Sequence, residues 1–320
     1  MRVMVTGGLG VNGAWLARDL IGGGHEVSVI ETRDDTSLLP DVADQVEVVL
    51  GDITDTDGLS TAVQKLAPDV IVHLAAFVDC ERSPQVAVDV NVKGTANVAA
   101  AAAAAGVRRV VYTSSKAVYA PATGHLGHPT YTPIGEDEHL GPTGMYGITK
   151  KAGEDVLAWY GRNTDVECVS LRFGTIFGPG RLQRHAGPIN TYSSLIEIPA
   201  SGQPFTLERG GEEGDDLVYL LDVADAISTV VLAPDPLRHT AYNIAAGRVT
   251  TLNQIGDAVR AAVPDADLTI GQGLNPMEQP DPYYIALDGS RIADELGWRP
   301  RFDIPSAVDH FVGLVRERTA

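Results

Sequence analysis

Short runs rich in Val and Ile alternate with longer amphipathic stretches along roughly the first half of the chain. Arg2–Thr6, Glu26–Glu31, Val46–Gly51, Asp69–Leu74, Arg108–Thr113 and Glu167–Leu171 have the β-branched content and length of buried strands. Between most of them, Val11–Gly23, Asp57–Leu66, Gln85–Ala105 and Met145–Gly161 have the period and composition of helices. Apolar strands separated by helix-length crossovers predict an α/β fold, a doubly wound parallel sheet with helices on both faces. Beyond residue 175 the rhythm breaks, and Gly178-Pro179-Gly180, Gly187-Pro188 and Gly202-Gln203-Pro204 punctuate shorter, more polar segments. Asp216–Val231 reads as a strand and helix returning to the sheet domain, while helices near Leu252–Val263 and Ser290–Leu296 suggest a smaller α+β lobe. The expected division is a sheet domain of residues 1–175 plus about 215–235, and a lobe of about 176–214 and 236–320.

At 320 residues, 44% of them hydrophobic and 21% charged, the chain can bury its own core without disulfides or metals. Cys80 and Cys168 are its two cysteines, which read as buried small residues in a reducing compartment. Met1-Arg2-Val3 leads straight into the first strand rather than into a signal peptide, and no uncharged apolar run is long enough for a membrane span. A cytoplasmic location is therefore expected. A net charge of −18 opposes nucleic acid and anionic membranes as partners. It also raises the question of how so acidic a chain would hold an anionic ligand. Backbone amides at a helix N-terminus supply local positive potential whatever the net charge.

Such a terminus follows the first strand. Thr6-Gly7-Gly8-Leu9-Gly10-Val11-Asn12-Gly13 is a T-G-x-x-G-x-x-G pattern at the start of a βαβ unit. Gly7 permits the tight turn, Gly10 lets a pyrophosphate approach the backbone, and Gly13 lets the helix pack on the strand. This is the phosphate loop of a Rossmann-type dinucleotide site. Glu31 ends the second strand, where a carboxylate accepts from both adenosine ribose hydroxyls and repels a 2′-phosphate, favouring NAD over NADP. Arg33 is the competing feature, because an arginine there can neutralise that phosphate.

Tyr146-Gly-Ile-Thr-Lys150 places a phenol and an ammonium four residues apart on one helix face. A free tyrosine, with a pKa near 10, is a poor base at neutral pH. A neighbouring Lys⁺ and a positive nicotinamide ring would both stabilise its phenolate. Ser114 and Ser115 lie at the carboxyl end of a strand, the edge at which parallel sheets bind ligands. A hydroxyl there can hydrogen-bond a substrate oxygen while Tyr146 moves its proton.

The chain resembles the extended short-chain dehydrogenases/reductases, the NAD-dependent epimerase/dehydratase family. Nearly its whole length matches in order: TGGLGVNG, Gly51-Asp52-Ile53, His73-Leu74-Ala75-Ala76, Asn91-Val-Lys-Gly-Thr95, YTSSKAVY, YGITK, LRFGTIFGPG, LVYLLDVADA and Leu296-Gly-Trp-Arg-Pro300. The resemblance implies that Asp52 and Ile53 contact the adenine, that Ala75 and Ala76 line the central groove, and that Asn91 belongs to the cofactor set. It implies further that Ser115 is the catalytic hydroxyl, that Tyr146 transfers the proton, and that Lys150 holds the nicotinamide ribose and lowers the Tyr146 pKa. A homodimer through the helices near 85–105 and 145–161 is expected on the same ground.

Many members of that family grip a nucleotide-diphosphate sugar with one Asn and two Arg. Here Thr175 takes the place of the Asn and Asp215 that of one Arg, while Asn275–Tyr284, which corresponds to the loop of the other, carries no Lys or Arg. Charge-assisted bonds contribute roughly 1.5–3 kcal/mol each, so a smaller hydroxylated substrate, a sugar or sugar acid, becomes at least an equal candidate. Arg181, Arg184 and His185 follow the Gly-Pro-Gly turn and are the candidate substrate contacts besides Thr175, with surface structure as the alternative. Lys116-Ala117 follows Ser115 where dehydrating members carry an Asp-Glu pair, and neither cysteine suits an epimerase that works beside its ketone. Oxidation or reduction of a secondary alcohol remains, or 4-epimerisation through it. The alternatives are a UDP-glucose 4-epimerase-like enzyme with tightly bound NAD and a non-catalytic NAD-binding sensor. His125 and His128 form an H-x-x-H pair in the loop from Pro121 to Gly144, which reads as a cover for the active site rather than a metal site.

Overall fold

The computed structural model describes residues 1–184, 190–278 and 283–319. Its first half runs β1 (Arg2–Thr6), α1 (Val11–Gly22), β2 (Glu26–Glu31), β3 (Val46–Leu50), α2 (Thr56–Leu66), β4 (Val70–His73), α3 (Pro84–Ala87), α4 (Gly94–Ala105), β5 (Arg109–Ser115), α5 (Met145–Asn163) and β6 (Glu167–Phe173). The remainder runs β7 (Thr175–Phe177), α6 (Arg181–Arg184), α7 (Thr191–Ala200), β8 (Phe205–Leu207), β9 (Gly214–Tyr219), α8 (Leu220–Leu232), β10 (Ala241–Ile244), β11 (Val249–Thr251), α9 (Leu252–Ala262), β12 (Leu268–Ile270), α10 (Ser290–Leu296) and α11 (Ile304–Thr319).

Seven strands pair in the order β3-β2-β1-β4-β5-β6-β10, parallel throughout. The β1–β4 neighbourhood is where the strand order reverses, so the carboxyl ends there open a crevice suited to a dinucleotide. Alternate residues of each strand serve opposite layers, as the period of a strand requires. Val3, Val5 and Val29 meet Leu16 and Leu20 of α1 and Ile227 of α8, whereas Met4, Ile30 and Ile71 meet Leu59 of α2 and Val98 of α4. A third core, with Tyr192, Leu217, Ile255 and Phe311, belongs to the smaller lobe.

Two strands depart from the expected division. The strand within 216–231 does not join the large sheet, since β9 pairs instead with β7 and β11. The seventh place is taken by β10, from the segment expected in the lobe. Asp215 and Asp216 explain the first departure. Both are buried, and their acceptors are satisfied by Lys116, Thr175 and the amides of Ala246, Ile285 and Leu287, groups found beside the large sheet rather than within its apolar layers. The helix of that segment, α8, does return and packs on α1.

The expected helix across 85–105 is broken by a π-helical turn at Val88–Lys93, whose wider winding turns Asn91 inward. The loop from Pro121 to Gly144 forms no wall of the cleft described below. It is a strut: Ile134 bridges to Leu287, Tyr131 donates to Glu213, and Thr143 meets the Tyr283 hydroxyl. His125 and His128 sit on that strut, and among the described residues no group of three or more His, Cys, Asp or Glu converges as metal ligands would.

Candidate active site

The carboxyl ends of β1, β2, β4, β5 and β6 enclose a cleft of about 570 Å³, within the range of small-molecule sites. At one end stands the glycine turn. Gly7 has φ +70°, and a Cβ there would lie 2.7 Å from the Ala75 nitrogen, so both the conformation and the close approach to β4 exclude a side chain. Gly10 differs, because only the Gly7 carbonyl lies near where its Cβ would be, at 3.2 Å. Gly10 is also the N-cap of α1 and contributes no side-chain cap, so the first amides of the helix face the cleft as unclaimed donors. Gly13 packs on Gly8, which closes the turn against the helix.

Glu31 ends β2 at the cleft, where Oε1 accepts from the Leu9 amide at 3.0 Å. The carboxylate is thereby tied to the glycine turn. Asp52 and Ile53 follow β3, and Asp52 is oriented by the amide and hydroxyl of Thr54, both at 2.8 Å. Ala75 and Ala76 line the middle of the cleft. His73, just before them, is fully buried between the hydroxyls of Thr6 and Thr95 at 2.7 and 3.0 Å. Burial lowers its pKa to about 3, so it is a neutral brace joining the end of β1 to α4.

Asn91 requires a correction. It does not line the cleft but stands one layer behind it, 1% exposed, with Oδ1 accepting from the Phe77 amide at 2.7 Å and Nδ2 donating to the Phe77 carbonyl at 2.9 Å. The same Nδ2 donates to the Thr149 hydroxyl at 3.0 Å, linking the loop after β4 to α5. Its residue type matched a cofactor contact, but its geometry is that of a clamp on the wall that the cofactor would touch.

At the other end, Ser115, Tyr146 and Lys150 line the cleft together. Ser115 ends β5, and its Oγ accepts from the Ala117 amide at 3.2 Å. Tyr146 and Lys150 project from the first turns of α5, where Gly147 lets the helix press against the backbone of Ala117. Lys150 Nζ donates to the Thr113 carbonyl at 2.7 Å and lies 4.7 Å from the centre of the Tyr112 ring, a buried cation on an aromatic face. Burial pulls its pKa down to about 8, against the upward pull of Cys80 and Glu154.

Burial pushes the Tyr146 phenol up to about 12; Cys80 adds to the rise, while Arg181 and the Ser115 hydroxyl oppose it. Lys150, expected to lower it, is not among the groups that oppose the rise in the protein alone. Lys150 is itself desolvated and anchored on Thr113, and its ammonium is 5.8 Å from the centre of the Tyr146 ring. Burial outweighs the Arg181 charge, so Tyr146 is protonated at neutral pH and acts as an acid.

The substrate candidates separate. Thr175 and Arg181 line the cleft; Arg184 closes the short α6 beyond it, and His185 lies outside the described residues. Thr175 donates to Asp215 Oδ2 at 2.6 Å, and Lys116, next to the catalytic-type serine, is ion-paired with Asp215 Oδ1. The departures at 116, 175 and 215 are thus one buried cluster. Lys116 was missed as a partner because nothing in the sequence links positions so far apart; the signal was two unusual charges of opposite sign at motif positions.

Three buried polar atoms of the cleft wall, Asn12 Oδ1, Ser114 Oγ and Arg181 Nε, have no partner within the described structure. Unclaimed helix amides, a bare glycine and orphaned polar atoms in one crevice fit a polar dinucleotide. Comparison with known proteins agrees. Residues 3–245 match the model of the NAD dependent epimerase/dehydratase family. A UDP-glucose 4-epimerase of Mycolicibacterium smegmatis is 31% identical over the full length of both chains. The UDP-glucose 4-epimerase of Thermus thermophilus, solved with NAD, superposes with a TM-score of 0.82 at 26% identity over 99% of each chain. That of Thermotoga maritima, solved with UDP-glucose, has the same fold, with a TM-score of 0.87 at 22% identity over 100% of each chain. A glycine-turn crevice on a seven-stranded parallel sheet, matched along this length, makes the chain an enzyme of the NAD dependent epimerase/dehydratase family, of the extended short-chain dehydrogenase/reductase type.

Proposed function

We propose that this enzyme is a nucleotide-diphosphate-sugar 4-epimerase that keeps NAD bound through its cycle. The observation that carries the proposal is the convergence of Ser115, Tyr146 and Lys150 in the cleft that the glycine turn opens, in a chain 31% identical to a protein named UDP-glucose 4-epimerase. The fused network at Asp215 removes the objection raised by its charge. The carboxylate that replaces an arginine is neutralised by Lys116, so the substrate wall is not left negative.

A bound NAD would supply reversible hydride exchange at the sugar's C4. The helix amides after Gly10 would hold the pyrophosphate, Glu31 the adenosine ribose, and Asp52 and Ile53 the adenine edge. Ser115 would donate a hydrogen bond to the C4 oxygen and fix its distance from Tyr146. The Tyr146 oxygen would take the hydroxyl proton as the alcohol becomes a ketone, and would return it to the same oxygen after the keto sugar has turned its other face to the hydride source. Lys150, held by Thr113, would grip the nicotinamide ribose and place positive charge beside the phenol. That charge, with that of the oxidised ring, works against the burial that keeps Tyr146 protonated. No residue beyond these is required, because the same centre is oxidised and reduced.

Purified protein should carry NAD and interconvert UDP-glucose and UDP-galactose with no net gain in NADH absorbance. Tyr146→Phe should lower that turnover by about 10²–10⁴-fold, the usual share of a positioned acid–base group. Steady accumulation of NADH with a free sugar, and none of the interconversion, would make the enzyme a dehydrogenase instead. The same proposal assigns it to the cytoplasm as a homodimer. Ile148 and Trp159 of α5 and Val86 and Val88 beside it are 42–53% exposed, an apolar face that a second copy would cover. Light scattering on the purified chain tests the dimer; no helix among the described residues is long and apolar enough to cross a membrane.

A further inference from the structure

We propose that Arg181 is an oxyanion-binding residue of the cleft, its guanidinium reserved for a phosphate or carboxylate brought in by a ligand. Gly178 and Gly180 flank Pro179 with φ of +152° and +88°, and they carry the chain from β7 toward the start of α1. A Cβ on Gly180 would lie 3.8 Å from Val11 Cγ1, so Arg181 is launched between the phosphate-loop helix and Tyr146. Its side chain lines the cleft and is 9% exposed. Nε has no partner, and among the described residues no hydrogen bond or ion pair holds the rest of the guanidinium.

The contrast with the other cations is what gives this weight. Lys116 is taken by Asp215 and Lys150 by the Thr113 carbonyl. The two other buried arginines are saturated. Arg109 holds Glu167 and the carbonyls of Ala233 and Asp235, and Arg172 holds both oxygens of Glu154, Tyr119 and the Glu136 carbonyl. A chain that pairs its other buried cations this thoroughly leaves one bare in the cleft it shares with the phosphate loop. An uncompensated buried charge destabilises the folded chain unless a ligand supplies the counter-charge. Burial already lowers the Arg181 pKa, and the Tyr146 phenol opposes that shift, which places the two within electrostatic reach. The planar five-donor fork of arginine suits a carboxylate or phosphate, which can accept two of its bonds at once.

Two sources share that chemistry, the pyrophosphate of the cofactor and an anionic group of the substrate. The inference rests on the cleft's being the cofactor and substrate site, but not on 4-epimerisation. The test uses the full-length Arg181→Met and Arg181→Lys variants. NADH binding is titrated by fluorescence, and UDP, UDP-glucose and UDP-glucuronate are titrated into NAD-loaded protein by calorimetry. Arg181→Met should weaken at least one of these by tenfold or more, with partial recovery in Arg181→Lys. A loss confined to NADH identifies the cofactor pyrophosphate. A loss for UDP and both sugars identifies the substrate diphosphate, and one confined to UDP-glucuronate identifies a sugar carboxylate. The melting temperature of unliganded Arg181→Met should equal or exceed that of the wild type, because a bare buried charge is removed. All affinities within twofold of wild type, or a fall of several degrees in melting temperature with affinities intact, would overturn the proposal. Loss of NADH affinity in a chain that fails to interconvert UDP-sugars would leave it standing while removing the epimerase assignment.

Discussion

Removing Asp215 should cost the protein far more than removing Lys116, although they form a single ion pair. The Asp215 side chain is 2% exposed and that of Lys116 11%. Breaking a buried pair by deleting one partner costs about 3–5 kcal/mol, because the survivor remains as an uncompensated charge. The two survivors differ in what they keep. In Lys116→Met the carboxylate still accepts from the hydroxyls of Thr175 and Tyr192 and from the amides of Asp216 and Ile285, at 2.6 to 3.3 Å. Those donors offset part of the loss, so about 1–3 kcal/mol is expected. In Asp215→Leu the ammonium is stranded and the same four donors lose their acceptor together, which places the loss at or above about 5 kcal/mol. Adding Lys116→Met to Asp215→Leu should then restore roughly the 3–5 kcal/mol of the stranded charge. Denaturant unfolding of the two single variants and the double variant, followed by far-UV circular dichroism, measures all three differences. Equal losses in the two single variants, or a double variant no more stable than Asp215→Leu, would show that the carboxylate is not the hub of this cluster.

The buried Lys150 gives a pH-dependent prediction. Its folded value of about 8 lies below the ordinary 10.5, so the folded chain binds fewer protons than the unfolded one between those pH values and gains stability as pH rises through them. Unliganded Lys150→Met should therefore be more stable than wild type at pH 7 by on the order of 2–3 kcal/mol, with the advantage shrinking toward pH 10.5; melting curves at pH 7 and 10 check it, and a constant difference would contradict it. Gly7→Ala forces an alanine to φ +70° with its Cβ 2.7 Å from the Ala75 nitrogen, so NADH fluorescence titration should detect no specific binding even where the variant folds. Tyr112 has a buried hydroxyl that no well-formed hydrogen bond holds among the described residues, with Thr95 beside it, and its ring face carries Lys150. Tyr112→Phe should keep both stability and turnover, whereas Tyr112→Leu should lose turnover and shift the alkaline limb of its pH profile.

The order of the elements was legible from residue pattern because it depends on local chemistry. Valine-rich runs, helix-length crossovers and a glycine turn are each written within a few consecutive residues, and the six strands proposed for the first half all lie in the large sheet. The strand-end serine and the Y-x-x-x-K helix were likewise legible, since each needs only one element to present it. What failed was the assignment of short strands after residue 175. Four residues at Ala241–Ile244 do not say which sheet edge they complete, and only the open edge of β6 decided it. Asn91 misled for a related reason: the π-helical turn that swings it behind the wall is a feature of winding rather than of composition.

The acid balance of the chain was visible from the start, but its consequence for the site was not. Lys116, Thr175 and Asp215 come from three elements far apart in sequence, and each alone resembled a lost contact. Packing made them one neutral cluster and left Arg181, among the described residues, as an unpartnered cation of the cleft wall. Which charges cancel is set by distances of a few ångströms, where low dielectric makes pairing decisive. The sequence by itself determined the sheet, the glycine turn and the elements that present Ser115, Tyr146 and Lys150, because each depends on neighbours along the chain. Only the tertiary structure decided which side chains face the cleft, which brace it, and which charge is left for a ligand, because those depend on neighbours in space.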